Sequence, residues 1–303
     1  MKDPQDPRIG EADEAILHVI NKFHYMTADQ VGRLLYPCAH DENRYVQRRL
    51  RRLSEANYLL RLRELPTPRI GSAPHVFTLA DRGRRLLADR GWVLESTYYR
   101  PSEERAKARD HPFMEHTLAA IDVLVCAEML CQDWDVLMPR LFNERQLKRS
   151  AVRVQPAGRP DARPMAVIPD AWFELHVPLQ DAVAVALELD RGTEQQQHWR
   201  RKVASIAAWA RGPYRDAFQA ENLTVAVVTP GPARRDQLQR WTTQELQALG
   251  MEYYNDIFLF TDASPIERAP FEFFFCPLWY PAGGGTPVSL LDEPTDEDAA
   301  PPL

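Results

Sequence analysis

The chain has 303 residues, 45% of them hydrophobic, which is enough for one large domain or two ordinary ones, each with its own core. No apolar run approaches the roughly eighteen residues of a membrane span, and MKDPQDPRIG at the N-terminus lacks the apolar segment of a secretion signal. The four cysteines form no Cys-x-x-Cys pair, which argues against a zinc knuckle or a disulfide framework. We therefore expect a cytoplasmic protein of two domains, with no membrane partner.

The net charge of −6 hides a division along the chain. Lysine and arginine outnumber aspartate and glutamate in residues 1–110, whereas the remainder is acidic. A cationic surface attracts phosphate, so this asymmetry permits a nucleic-acid-binding domain attached to an acidic body.

Three helices are predicted near the N-terminus, over 11–25, 28–35 and 41–56, from apolar residues at helical spacing and from the caps Thr27 and Asp41. Val46, Leu50 and Leu53 line one side of the third helix, which we expect to face a core. The opposite side is cationic and carries Arg44, Arg48, Arg51 and Arg52. It is either a binding surface or an ordinary solvated helix surface.

Two strands are predicted next, at 59–65 and 75–79, around a turn rich in proline, glycine and serine, and a further helix follows them. Three helices followed by a hairpin form the winged version of the helix-turn-helix unit, whose third helix enters the major groove. The phrase VFTLADRGRRLL, with Gly83 in its helix, resembles the closing strand and helix of bacterial winged-helix regulators.

This resemblance covers residues 11–92 and implies binding to double-stranded DNA. On the third helix, the four arginines Arg44, Arg48, Arg51 and Arg52 are then expected to contact phosphates or guanine edges. A winged helix that only docks proteins is the alternative. On the wing, the expected contacts are Arg61, Arg63 and Arg69.

The C-terminal part shows the element order αβββαβαβ, which predicts a mixed α/β sheet with helices on both faces. A helix is expected from 113 to 131 and others over 194–210 and 233–249. The expected strands are 136–142, 165–176, 182–189, 223–228 and 256–260.

Three carboxylates are expected to meet at one end of this sheet. Asp170 follows Pro169 on the second strand, and Glu188 and Asp190, which face the same side, close the third. Clustered carboxylates repel each other unless a hard cation neutralises them, so Mg2+ or Mn2+ is the expected cofactor if one is bound.

An αβββαβ core with Pro-Asp on one strand and Glu on the next resembles the PD-(D/E)xK nuclease superfamily. The resemblance implies a metal that activates water, held by Asp170 and Glu188, with Glu115 on the first helix completing the site. The lysine position of the motif holds Asp190, also a candidate metal ligand, so Lys202 on the following helix is the candidate cation. A preserved fold with a decayed catalytic site is the alternative.

The combination of a winged helix with MEHTLAAIDVLV, IPDAWFEL and ALELDRGTE is similar to the replication-relaxation family of plasmids and other mobile elements, over residues 11–262. The resemblance implies a DNA-binding accessory role, with replication or mobilisation proteins as partners. A metal-dependent endonuclease with a degenerate motif is one alternative, and a non-enzymatic regulator or scaffold is another. The oligomeric state is left open.

These observations divide the chain into four parts. We expect a winged-helix DNA-binding domain at 1–96, a linker at 97–112 and a nuclease-like α/β domain at 113–262. The remainder, 263–303, is expected to be an aromatic segment, covered by the domain or by a partner, and an acidic flexible tail that begins with PAGGGTP.

Overall fold

The chain is a mixed α/β protein that divides into two compact units, Met1–Val125 and Cys126–Leu303. None of the helices in the described part of the chain is long and apolar enough to cross a membrane. The structure is a computed structural model, and it describes residues 8–37, 42–63, 74–94, 114–158, 161 and 163–293.

The first unit contains a small sheet in which β3 lies between β1 and β2 and pairs antiparallel with both. Helix α5 (Met114–Asp133) begins in this unit and ends in the second. The other elements are α1 (Glu11–Phe23), β1 (Met26–Thr27), α2 (Ala28–Leu35), α3 (Glu42–Glu55), β2 (Leu59–Arg63), β3 (His75–Leu79) and α4 (Asp81–Asp89).

Local sequence signals explain where these helices begin and which side they bury. Thr27 Oγ1 accepts a hydrogen bond from the Gln30 backbone N–H (3.2 Å), and Gln30 Oε1 accepts one from the Thr27 N–H (3.0 Å). This reciprocal cap satisfies two N–H groups that the first turn of a helix leaves unpaired. On α3 the predicted core side is confirmed, because Val46, Leu50 and Leu53 are fully buried.

Gly83 allows α4 to approach the backbone of Tyr58, which lies just before β2. The Tyr58 carbonyl accepts a hydrogen bond from the Ala80 N–H (3.0 Å), and a Cβ atom at position 83 would overlap that same carbonyl oxygen. The glycine in ADRGRRLL is therefore required by a close helix-to-backbone contact.

The second unit is built on a six-stranded sheet in the order β11-β10-β9-β8-β7-β4, beside a two-stranded sheet of β5 and β6. β4, β7 and β8 pair antiparallel, and β8, β9 and β10 pair parallel. Its strands are β4 (Leu137–Asn143), β5 (Val152–Val154), β6 (Met165–Val167), β7 (Ala171–His176), β8 (Val183–Leu189), β9 (Thr224–Val228), β10 (Phe258–Thr261) and β11 (Tyr280–Pro281).

Helices cross between the parallel strands, as that connection requires. The helices are α6 (Glu144–Arg149), α7 (Gln196–Ala210), α8 (Pro213–Phe218), α9 (Pro232–Ala248) and α10 (Pro270–Phe275), with a 3-10 helix at Glu252–Ile257.

Helices α7 and α9 pack against each other and contribute to the core of this unit. The predicted apolar stripe of α7 is confirmed, because Trp199, Val203 and Ile206 are buried in this core. The Trp199 indole N–H donates to Thr242 Oγ1 on α9 (2.9 Å), so the buried ring also satisfies its polar atom.

The single strand predicted at 165–176 was wrong. Met165–Val167 pairs with β5 in the small sheet, whereas Ala171–His176 belongs to the main sheet. Pro169 lies between them and has no N–H to donate to a ladder, so it separates the two pairings.

The structure also differs from the expectation of a tail that begins near residue 281. The edge strand β11 pairs with β10, and the Trp279 and Val288 backbones hydrogen-bond in both directions (3.0 and 2.7 Å). Phe273, Phe274 and Trp279 are buried, so the aromatic segment is covered by its own unit. Residues 294–303 lie outside the described part of the chain.

Candidate functional site

The outer side of α3 presents a cationic surface. Arg44, Arg48 and Arg51 follow one another by four and three residues, which places them in one stripe of the helix, opposite its buried side. All three are exposed. We call these three residues the arginine stripe.

The ion pairs recorded for α3 in the described residues leave Arg44 and Arg48 exposed to solvent. Arg51 binds Glu55 on the same helix (2.8 Å), in a pair that is largely exposed. Such pairs contribute little to stability and exchange readily for another anion.

Arg52, which the sequence grouped with the stripe, has a structural partner instead. It binds the buried carboxylate of Asp13 on α1, together with Arg49, whose Nη1 lies 2.8 Å from Asp13 Oδ1. Sequence reasoning missed Arg49 and Asp13. The available signal was the position of Asp13, which shares the apolar face of α1 with Ile16 and Ile20.

The predicted wing contacts are described only in part. Arg61 is exposed on β2, where it pairs with Phe77 of β3. The Arg63 side chain and Arg69 lie outside the described residues. The predicted turn between the two strands also lies outside the described residues, so the reach of the wing stays a prediction.

The second group of candidate residues lies at one end of the main sheet. Ala171 of β7 pairs with Leu187 of β8, so Asp170 and Glu188 occupy adjacent positions of two neighbouring strands. The Asp170 N–H donates to the Leu187 carbonyl (2.9 Å), and Asp170 Oδ2 accepts the Leu189 N–H (2.8 Å). The predicted proximity of these two acids is therefore found.

Lys202 reaches the same end from α7. Its Nζ lies 2.7 Å from Glu188 Oε2 and 3.8 Å from Glu194 Oε2. Glu188 is only 2% exposed, so its carboxylate has little access to water. We call Asp170, Glu188, Glu194 and Lys202 the acidic strand end.

Burial and charge shift the pKa values of this group. Burial raises the pKa of the Glu188 carboxyl; Lys202 opposes this shift, and Asp170 adds to it. Burial lowers the pKa of the Lys202 ammonium, but the surrounding carboxylates, Glu188 above all, raise this pKa by a larger amount, so that it lies above its ordinary value. Lys202 therefore stays a cation at neutral pH.

Asp190, the third carboxylate of the predicted site, is neutralised by an arginine of α9. Arg234 Nε lies 2.6 Å from Asp190 Oδ2, and Arg234 Nη2 lies 2.9 Å from Oδ1. The Gly192 N–H also donates to Asp190 (2.9 Å), in a turn that requires the positive φ of this glycine (83°). Burial raises the pKa of Asp190, but Arg234 and the Gly192 N–H lower it more.

Glu115 lies in the first turn of α5, in the unit that ends at Val125. Its predicted place in the site stays a prediction.

As arranged here, the acids do not fit a divalent metal ion. In the described ranges, no group of three or more His, Cys, Asp or Glu side chains is placed to hold one. Lys202 binds Glu188, and Arg234 binds both oxygens of Asp190. A helix cation thus already balances the charge at each of these two acids, and the predicted Mg2+ or Mn2+ site stays a prediction.

The chain matches the model of a known protein family. The family model described as replication-relaxation matches residues 17–223, which include α3 and the acidic strand end. No curated protein and no solved structure matches the chain.

Proposed function

The chain belongs to the replication-relaxation family, and on that premise we propose that it is a DNA-binding accessory protein in the replication or relaxation of a plasmid or another mobile element. Its partners are double-stranded DNA and proteins of replication or mobilisation. We assign DNA binding to residues 1–96. To residues 113–262 we assign a nuclease-like α/β domain with at most weak catalytic activity.

The arginine stripe is the observation that carries this proposal. Arg44 and Arg48 project from the side of α3 that faces away from the core, and the ion pairs recorded for the described residues do not engage them. Duplex DNA offers phosphates and guanine edges that arginine binds through paired N–H donors. Binding also releases counterions from the duplex, which favours association at low salt.

The arrangement of the first unit supports a winged helix-turn-helix assignment. Helices α2 and α3 are joined by a short connection, and the hairpin of β2 and β3 follows α3 directly. In this kind of unit the third helix enters the major groove while the hairpin contacts the backbone. Arg61 on β2 is then a backbone contact beside the groove.

Replacing both Arg44 and Arg48 by alanine is expected to weaken DNA binding by the full chain and to reduce its dependence on salt. Each lost phosphate contact lowers the slope of log K against log salt by about one. Fluorescence anisotropy with a labelled duplex, measured over a series of salt concentrations, gives the affinity and the slope for each variant.

The double variant Arg85→Ala/Arg240→Ala is the matched control, because it removes two exposed arginines outside α3. It is expected to keep most of the affinity and the wild-type slope. Equal losses in both double variants would mean that net charge alone drives binding. No binding of the wild-type chain at low salt would leave the first unit as a protein-docking module.

A metal-dependent endonuclease is the second candidate function. The observation that favours it is that Asp170, Glu188 and Lys202 lie close together. They also follow one another along the chain in the same order as the two acids and the lysine of the nuclease motif. Asp190 stands against it, because an acid at the lysine position adds negative charge beside an anionic substrate.

We expect no metal-dependent nicking when the protein is incubated with supercoiled plasmid in Mg2+ or Mn2+. Gel electrophoresis of the plasmid measures this directly, beside the variants Asp170→Ala and Glu188→Ala. Nicking that requires the metal and disappears in both variants would establish the endonuclease and overturn the accessory assignment of the second unit.

A further inference from the structure

The acidic strand end carries a partly buried cation of its own. The Lys202 ammonium lies 2.7 Å from Glu188 Oε2 and 3.8 Å from Glu194 Oε2, and the charge of Asp170 acts on it as well. Three carboxylates therefore act on one ammonium group. Only a third of the Lys202 side chain is exposed, so water screens these contacts weakly.

The same pattern recurs along this end of the sheet. Arg234 of α9 binds Asp190, which follows β8, and Arg235 of α9 binds Asp262, which follows β10 (2.5 Å). Glu188, Asp190 and Asp262 are thus each paired with a cation from a helix, which offsets the cost of removing a carboxylate from water.

Any divalent ion at Glu188 would meet this ammonium. A metal that binds a carboxylate oxygen lies about 2.0 to 2.6 Å from it. Because Lys202 already contacts Glu188 Oε2, the two cations would lie within a few ångström of each other with little water between them. An ion that binds Glu188 Oε2 would have to displace the lysine from that oxygen.

We infer that the Lys202 ammonium is the resident cation of the acidic strand end and neutralises the carboxylates that a divalent ion would otherwise neutralise. The site is then independent of metal, and its carboxylates position a lysine instead of a metal-bound water. This inference concerns the second unit alone and holds whether or not the first unit binds DNA.

The test is to remove the ammonium and measure Mn2+ binding to the full chain. Lys202→Met keeps most of the length of the side chain and leaves Asp170, Glu188 and Glu194 without their cation. We expect this variant to bind one Mn2+ per chain at least about tenfold more tightly than the wild type, because the ion replaces the lost charge. Electron paramagnetic resonance of free Mn2+ measures the bound fraction.

Lys148→Met is the matched control, because Lys148 forms an exposed pair with Glu144 on α6 (2.5 Å). It is expected to bind Mn2+ no better than the wild type. In Lys202→Met the added ion should also raise the melting temperature, whereas the wild type should show no such shift.

The wild-type titration keeps the inference falsifiable even if Lys202→Met does not fold. Stoichiometric Mn2+ binding by the wild type that Asp170→Asn abolishes would overturn it, since the ion would then bind beside the lysine. A folded Lys202→Met that gains no Mn2+ binding would overturn it too.

Discussion

Replacing Arg234 by methionine is expected to lower the free energy of unfolding of the second unit by about 3 kcal/mol. The Asp190 side chain is only 1% exposed and receives two hydrogen bonds from Arg234. Methionine fills a similar volume but leaves that carboxylate buried without its cation, which costs more than the loss of an exposed pair. Urea unfolding monitored by tryptophan fluorescence gives the difference, because four tryptophans of this unit are fully buried.

Arg240→Met is the control for this prediction. Arg240 lies on the same helix, but it is exposed, so its loss is expected to change the free energy of unfolding by no more than about 0.5 kcal/mol. Similar losses in both variants would show that methionine is simply unfavourable on α9. An unaffected Arg234→Met would mean that Asp190 finds another donor.

Local signals predicted the elements of the first unit well. The cap at Thr27 and the spacing of Val46, Leu50 and Leu53 depend on residues within one or two helical turns. Such contacts can be predicted because the residues involved are close in sequence. Gly83 shows the limit of this approach. Its presence in the helix was visible, but the Tyr58 carbonyl that requires it lies just before β2, 25 residues earlier.

The pairing of charges could be predicted only in part. The period of two along β8 put Glu188 and Asp190 on one side, and the spacing along α7 put Lys202 beside the core stripe. The partner of Asp190 was missed, because Arg234 lies 44 residues further on and only the crossover of α9 brings it back. Asp13 with Arg49 is the same case, across 36 residues.

The predicted strand boundaries were wrong where tertiary contacts determine the ends of a strand. The apolar residues of 165–176 fit one continuous strand, but the segments before and after Pro169 belong to two different sheets. Pro281 looks like the start of a glycine-rich tail, but the edge of β10 offers free hydrogen-bonding groups that β11 satisfies. In both cases the deciding partner is distant in sequence.

The buried carboxylate of Asp13 leads to a prediction about the first unit. Asp13→Asn is expected to make opening of this unit more favourable by about 3 kcal/mol at pH 7, which is more than a hundredfold in the opening equilibrium. Arg49 and Arg52 both bind Asp13 and would lose their anion. Hydrogen–deuterium exchange of the peptides from α1 and α3 measures the effect, with peptides of the second unit as the internal reference.

The effect of Asp13→Asn should disappear in acid. Burial raises the pKa of the Asp13 carboxyl, but Arg49, the Gly10 N–H and Arg52 lower it below its ordinary value of 3.8. A carboxyl whose pKa is lower in the folded state adds stability above its ordinary pKa and loses it as the pH falls toward the folded value. The stability of the wild type should therefore approach that of the variant below about pH 4, after correction for intrinsic exchange rates.

Glu11→Gln, which changes an exposed acid on the same helix, is the control and should match the wild type throughout. A gap between wild type and Asp13→Asn that stays constant down to about pH 2 would show that the asparagine amide, and not the lost charge, causes the destabilisation.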